Sequence, residues 1–543
     1  MPKKLAFAGF LCYNNAMDKA NFEGLPAPVI EYIDRLEAQI ERLTEMLRLA
    51  QKARFGSSSE KTKYILEDGI EQVAVFNEAE VYADEKAPEP VIVKQHERKP
   101  KRTKEELAKD LPVIEVIIDL PEGEKACNIC SSDDLYVIGK ELVRRELCIN
   151  PAQAYITETY QINYGCRDCD KETEQANIIK PEVPEPVVKR GLASPSSVAY
   201  TMYQKYANGM PLARQEKDWA TFGVKISRAT LANWIIYVAT HWLLPLWIAL
   251  KAILISSPII FADETVIQVL KEPGKTPQSE SRMWVYCTGG SIHSPPIILF
   301  EYQPSRAGEH PQRFLAGAKD FYLQTDGYSG YSKVADAIHC GCWAHSKRKY
   351  SDALPKTNLK DSKAAQGIAF CDKLFMLERE FEGLSPEKRL EQRLEKSKPV
   401  VDAYFAWVET VNPLAGSKLY EAITYARNQK QALSTFLLDG RIEISTNRIE
   451  NHIRPFAVGR RGWLFADTVN GAKASAAAYS IIETAKANDL NPYQYLLHLF
   501  TELPTVLTKD PAADLSPFFP WADDVKEKCG RTKGTTGNLT LHG

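Results

Sequence analysis

Two stretches decide the fold, Pro258-Ile-Ile-Phe-Ala-Asp263 and Phe321-Tyr-Leu-Gln-Thr-Asp326. Each is an apolar, strand-like run closed by an aspartate. A carboxylate at the end of a buried strand is costly to desolvate unless something positive meets it. Carboxylates so placed are the usual holders of the two oxygen-seeking Mg²⁺ ions that attack a phosphodiester.

Met283-Trp-Val-Tyr-Cys287 and Pro296-Ile-Ile-Leu-Phe300 lie between them at hairpin-like separations, and Pro311 to Ala318 reads as helix. Three antiparallel strands, a helix and a strand laid beside the first make the opening half of a ribonuclease-H-like sheet. That topology puts Asp263 and Asp326 side by side, with Gly327 and Gly330 letting the chain turn sharply after Asp326. Glu264 points to the opposite face of its strand, and Asp336 falls in a helical-looking stretch, so neither is chosen.

The third carboxylate is expected from a helix laid across the sheet. In Ile444-Ser-Thr-Asn-Arg-Ile-Glu-Asn-His-Ile-Arg454, Ser445 or Thr446 can cap a helix that carries Glu450 about one turn in. Asn447, Glu450, Asn451 and Arg454 then share one face. Arg460, Arg461 and Lys473 follow and suit phosphate neutralisation. Asp263 is expected to bridge both ions, Asp326 to hold the one that polarises the attacking oxygen, and Glu450 the one nearer the leaving oxygen. All three must then come within reach of ions about 3.5 to 4 Å apart. The gap 450 − 326 = 124 residues requires the helical block between them to bulge out as an insertion.

The chain of 543 residues is too long for one core, and its 44% hydrophobic and 25% charged residues are those of an ordinary globular protein. A net charge of −2 excludes a global basic field, so nucleic acid must be met by local patches. Of eleven cysteines, Cys127 and Cys130 form one CxxC and Cys166 and Cys169 another. Two such knuckles complete a tetrahedral zinc site with no open position, which is structural rather than catalytic. The cluster Cys340-Gly-Cys342-Trp-Ala-His345 lacks a fourth ligand nearby and reads as a strand-to-helix junction, with Lys347 and Arg348 available to DNA.

Arg214 to Ala220, the turn at Gly223 and a helix from Arg228 capped by Ser227 follow helix-turn-helix grammar. Arg228, Thr230 and Asn233 would lie at the front of the recognition helix. Ile33, Leu36, Ile40, Leu43 and Leu47 form a short coiled-coil seam or the buried face of a lone amphipathic helix. The apolar run Trp234 to Leu250 holds His241 and Pro245 near its middle and reads as a buried helix pair broken at Pro245 rather than a membrane span. Lys3-Lys4 and the apolar residues after them lack a good cleavage site for a signal peptide, and Met17 is a second candidate start. Ala154 to Tyr160 alternates like a strand, and the chain beyond Leu503 has the composition of a mobile tail.

Six motifs in series resemble the large transposase of the bacterial insertion sequence sixty-six family, over about residues 30–500. They are Arg54-Phe-Gly-Ser-Ser-Ser-Glu-Lys61, the double CxxC module, Ala262-Asp-Glu-Thr265, Thr325-Asp-Gly-Tyr-Ser-Gly-Tyr331, Cys342-Trp-Ala-His345, and Asn447 to Phe456 with Gly459-Arg460 and Trp463-Leu-Phe465. Residues 1–22 have no match, and Ser57 stands where an arginine is more typical. The resemblance implies a DDE transposase whose triad is Asp263, Asp326 and Glu450, cleaving the ends of a mobile element and joining them to target DNA. It further implies a multidomain α/β chain. An extension (1–25), coiled coil (26–55), flexible linker (56–110), zinc module (111–180) and helix-turn-helix region (181–255) precede the core. The core (256–350 and 441–503) is split by a helical insertion (351–440), and a tail (504–543) follows. Two Mg²⁺, one Zn²⁺, terminal inverted repeats, companion proteins of the same element, self-association through the coiled coil and a cytoplasmic location are the corresponding expectations. A DNA-binding regulator in which the acids are only structural is the rival reading.

Overall fold

A computed structural model describes residues 183–221, 223–289, 295–355 and 362–531, short pieces at 154–160, 164–165 and 178–179, and six helical positions between 29 and 39. Most of the coiled coil, the linker and all four CxxC cysteines lie outside the described residues.

The central sheet starts from β1 (Ile259–Lys271), which pairs antiparallel with β2 (Glu280–Thr288), itself antiparallel to β3 (Ile298–Gln303). On its other side β1 runs parallel to β4 (Phe321–Gln324), and β4 to β5 (Ala337–Cys340), giving the order β3-β2-β1-β4-β5. A three-residue β6 (Ala466–Thr468) pairs with the far end of β1. The β-branched run Thr265-Val-Ile-Gln-Val carries β1 past Asp263 to Lys271, so Asp263 does not end its strand as the sequence suggested. It lies instead just beyond the last parallel pair, Phe261↔Gln324, where β1 and the chain leaving β4 separate.

Ten helices matter to the site or its support. Before the sheet come α1 (Leu212–Thr221) and α2 (Arg228–Leu254). Around it lie α3 (Glu309–Phe314), α4 (Trp343–Asp352), α5 (Lys363–Glu380), α6 (Lys398–Thr410), α7 (Lys418–Asn428), α8 (Asn447–Trp463), α9 (Val469–Ala487) and α10 (Pro492–Lys509). Side chains alternate across a sheet, so Asp263 shares a face with Phe261, Val285 and Phe300, while Glu264 shares the other with Trp284 and Glu301. The first face is covered by α8 and α9, whose Phe456 and Tyr479 meet the Phe300 ring at 6.2 and 5.5 Å. On the second, Phe314 of α3 stacks on Tyr286 at 3.6 Å and Trp247 of α2 meets Phe314 edge-on. The outer edge of β3 is closed by hydroxyls of α9, with Ser480 accepting from the Phe300 N–H at 2.7 Å and Thr484 from that of Ile298 at 3.0 Å.

Several expectations are corrected. The helix α2 is continuous through Pro245. A π turn over Ala239–Leu243, with the Leu244 N–H donating to the Ala239 carbonyl, accommodates the proline without ending the helix. By length and composition α2 could cross a membrane, but Leu231, Trp234, Val238, Leu243, Leu246 and Leu250 all belong to the core. Residues 504–531 are packed on the core rather than forming a mobile tail. Pro504 is inside α10, where Leu503 and Leu507 pack into the core, and Leu515, Val525 and Cys529 are buried after it. Residues 154–160 are exposed and form no strand among the described residues, and alternation alone makes none without a partner edge. Asp336 lies in a turn before β5, not in a helix.

Candidate active site

The ladder between β1 and β4 fixes the first two acids. Its register, Ile259↔Tyr322 to Phe261↔Gln324, has a constant offset of 63, and 326 − 263 gives the same offset. Asp263 and Asp326 therefore occupy matching places on adjacent strand exits. Burial first, then the charges of Glu264 and Asp326, hold the Asp263 carboxyl well above the usual range, with His345 and the Glu264 N–H acting in the opposite direction. Gly327, at φ +88°, takes the chain away in a conformation that favours glycine. The Tyr328 N–H then donates to Asp326 Oδ1 at 2.9 Å, and Arg306 Nη2 stands 3.8 Å from Oδ2.

Glu450 is delivered by a return segment hooked to the sheet at almost every step. Buried Arg393 donates to the carbonyls of Phe436, Asp439 and Ile442 at 3.0, 3.0 and 2.8 Å. Gln324, at the end of β4, donates to the carbonyls of Glu443 and Ser445, and the Trp343 N–H to that of Ile444 at 3.0 Å. Thr446, the N-cap of α8, donates its N–H to Cys342 Sγ at 3.2 Å, and its hydroxyl lies between that sulfur at 3.2 Å and Glu450 Oε1. One turn on, Glu450 is 9% exposed and meets Thr446 Oγ1 at 3.1 Å, Arg348 Nη2 at 3.6 Å and His345 Nδ1 at 3.9 Å. Burial opposes a charged His345, but the Cys342 thiol group and Glu450 outweigh it and raise the imidazole to about 9. The Cys342 thiol is correspondingly lowered, His345 overcoming the effect of burial.

The structure thus brings Asp263 and Asp326 together and sets Glu450 on the helix that covers the Asp263 face, with His345 interacting with both Asp263 and Glu450. The tight gathering expected of the triad is not formed. Among the described residues no three His, Cys, Asp or Glu side chains stand close enough to hold a metal ion. Each carboxylate is instead turned to protein partners: Asp263 Oδ1 to the Glu264 N–H at 2.7 Å, Asp326 to Tyr328 and Arg306, and Glu450 to Thr446 and Arg348.

Residues 190–474 match the family model described as "Transposase IS66 family", which is 474 − 190 + 1 = 285 of the 543 residues. The chain belongs to the IS66 transposase family. Three further models of that family's parts match in order: "Transposase C of IS166 homeodomain" at 42–116, "zinc-finger binding domain of transposase IS66" at 124–170 and "IS66 C-terminal element" at 480–521. Two relatives from Sinorhizobium fredii (strain NBRC 101917 / NGR234) are similar over nearly their whole length. "Uncharacterized protein y4qI" is 30% identical over 534 residues, 93% of this chain and 94% of that protein. "Uncharacterized protein y4hP" is 29% identical over 514 residues, 90% of this chain and 88% of that protein.

Cys127, Cys130, Cys166 and Cys169 of this transposase-family chain fall within or at the margin of the zinc-finger match and outside the described residues. Of the residues expected to meet DNA, Arg228, Asn233, Arg461 and Lys473 are exposed and Asn447 and Arg454 half-buried. Thr230 is half-buried with its hydroxyl against Ser227 Oγ at 3.0 Å, and the Ser227 cap and Gly223 turn (φ +83°) complete a helix-turn-helix between α1 and α2. Lys347 is not at the surface. It is 3% exposed and paired with Asp372 at 2.6 Å, because its position on α4 faces α5, whereas Arg348 is 41% exposed beside Glu450. Arg460 is half-buried and donates to Thr265 Oγ1 and the Val266 carbonyl, tying α8 to β1. Sequence reasoning did not assign Arg306, Tyr328 and Tyr331 a role at the site and set Glu264 aside. A loop arginine carries no periodic signal, and its pairing with Glu264 is visible only once β3 and β1 are folded together.

Proposed function

We propose that this protein is a DDE transposase that cleaves the ends of an insertion sequence and joins them to target DNA, with Asp263, Asp326 and Glu450 as its catalytic carboxylates on a ribonuclease-H-like core. The observation that carries the reading is the β1·β4 register, which aligns the two aspartates, together with α8 crossing the same face with Glu450. The strand order β3-β2-β1-β4-β5, with only the first two pairings antiparallel, supports the core assignment.

The donor chemistry fits hard divalent cations. Carboxylate oxygens are their preferred ligands, and the burial and, after it, the repulsion from Glu264 and Asp326 that raise Asp263 are both offset by a bound cation. Bound Mg²⁺ would supply polarisation of the attacking water or 3′-hydroxyl and charge neutralisation at the leaving oxygen, held by Asp263, Asp326 and Glu450. The chain's own residues do the rest. His345 and Thr446 orient Glu450, and Tyr328 and Gly327 orient Asp326. Arg348 lies beside Glu450 at the site, and Arg454 and Arg461 of α8 and Lys473 of α9 meet the DNA backbone without regard to sequence, joined there by the outer edge of Arg460, whose Nη1 ties α8 to β1. Arg228, Thr230 and Asn233 on the helix-turn-helix contribute to recognition of the terminal repeats. Cys127, Cys130, Cys166 and Cys169 hold one structural Zn²⁺, four thiolates leaving no open position. The N-terminal heptads serve self-association, companion proteins of the element assist, and the reaction takes place in the cytoplasm on the nucleoid.

The test is a cut-and-join assay on duplexes carrying the element's ends, with Asp263→Asn, Asp326→Asn and Glu450→Gln. Each amide keeps shape and loses charge. Each should lower the strand-cleavage rate by about a thousandfold, on the order of 4 kcal/mol of barrier. Normal cutting and joining by Glu450→Gln would show that the wrong glutamate has been chosen.

A further inference from the structure

We infer that Arg306 is a phosphate-binding residue of this active site, placed by Glu264 from the opposite face of the sheet; the inference rests on the transposase reading above. Arg306 lies in the loop after β3. Its Nε donates to Glu264 Oε1, and Glu264, with its side chain 3% exposed, accepts through Oε2 from the Tyr331 hydroxyl at 2.8 Å. The guanidinium lies over the Tyr328 ring at 4.0 Å, and the Tyr328 hydroxyl donates to the Arg306 carbonyl at 2.6 Å. The two loops touch through backbone, since a methyl group on Gly308 would overlap the Gly330 carbonyl. Head and backbone of one arginine are thereby fixed together, and Tyr328, which fixes them, is the residue whose N–H holds Asp326.

The remaining edge of the guanidinium faces the site. Arg306 is 44% exposed, and its Nη2 is 3.8 Å from Asp326 Oδ2, too long for a hydrogen bond. A pair so long and so open to water is worth little, so this edge can turn to another anion at small cost. Arginine's planar fork matches phosphate oxygens, and a fork already immobilised loses less entropy in binding one. A DNA strand entering here must approach Asp263, Asp326 and Glu450, and a phosphate among three carboxylates needs opposing charge. Arg306 supplies it at the aspartate end as Arg348 does at Glu450. Glu264 acts through Arg306 and is a positioning residue.

The probe is a labelled duplex carrying the element's terminal repeat, bound to the zinc-loaded protein with Ca²⁺ in place of Mg²⁺ and no chelator so that turnover is suppressed, with affinity measured against salt concentration. Loss of one phosphate contact in Arg306→Gln should reduce the slope of log K against log salt by about 0.9. Arg306→Lys keeps the charge and should keep the slope, but should slow cleavage at least about tenfold because the fork is lost. Glu264→Gln should behave like Arg306→Lys, with unchanged slope and slowed cleavage. An unchanged slope in Arg306→Gln, while Asp326→Asn abolishes cleavage of the same duplex, overturns the inference and leaves the transposase reading standing. Should Arg306→Gln fail to fold, wild-type cleavage by Arg306→Lys overturns it equally. Cleavage surviving in Asp326→Asn overturns the transposase reading itself.

Discussion

Replacing Arg393 by Met should loosen the segment that carries Glu450 into the site. Arg393 is fully buried, and all five of its N–H donors are used: two on Glu378, at 2.7 and 2.6 Å, and three on the carbonyls of Phe436, Asp439 and Ile442. Removing one partner of a buried ion pair costs about 3 to 5 kcal/mol, and three carbonyls are orphaned at the same time. Individual costs of about 1 to 3 kcal/mol for such groups do not add in one cluster. A loss of about 4 kcal/mol is expected, close to a thousandfold in the local opening equilibrium. Hydrogen exchange reads it directly, because the amides of Leu438, Ile442 and Thr446 bond within this segment or to Cys342. They should exchange much faster in Arg393→Met, with smaller changes in β2 and β3. Adding Glu378→Met should recover part of the loss by removing the stranded charge, though not the carbonyl share. Unchanged exchange across residues 436–446 in Arg393→Met would refute the reasoning, as would full recovery in the double variant.

Asp263→Asn should raise the thermal midpoint at pH 7. The folded-state pKa of Asp263 lies above its ordinary 3.8, so folding stability falls as pH rises from there through the folded value, and the penalty is complete above it. The asparagine variant escapes the penalty, and its advantage should shrink as pH is lowered toward 4. An advantage independent of pH, or none at all, would count against the electrostatic account. For the zinc module, Cys127→Ser should lower bound zinc by about one equivalent per chain, measured by metal analysis of the purified protein. Unchanged zinc content would rule out that site.

Much of the core was legible in the sequence, for local reasons. The apolar runs at 259–263 and 321–325 mark buried strands, and the helix at Glu450 announces itself by one polar face after a capping residue. Boundaries failed where tertiary packing overrode a local signal. Pro245 reads as a break and the chain beyond Leu503 as a mobile tail, but a π turn absorbs the proline and buried leucines carry α10 on past Leu503. Among the described residues the alternation at 154–160 forms no strand. The electrostatics of the site were least legible. Lys347 and Arg348 are adjacent in sequence, yet one is buried against Asp372 and the other faces Glu450, a difference set by helix phase. Likewise Glu264 and Arg306 are 42 residues apart and meet only because β2 and β3 double back.

The central claim is that Asp263, Asp326 and Glu450 form one divalent-cation site despite being turned to separate partners in the free chain. Electron paramagnetic resonance of Mn²⁺ added to the protein bound to an end-carrying duplex tests it most directly. Mn²⁺ should bind in a protein-dependent way to the wild type, and this binding should be lost or strongly weakened by Asp263→Asn, Asp326→Asn and Glu450→Gln alike. Wild-type Mn²⁺ binding in Glu450→Gln, with both aspartate variants impaired, would contradict it.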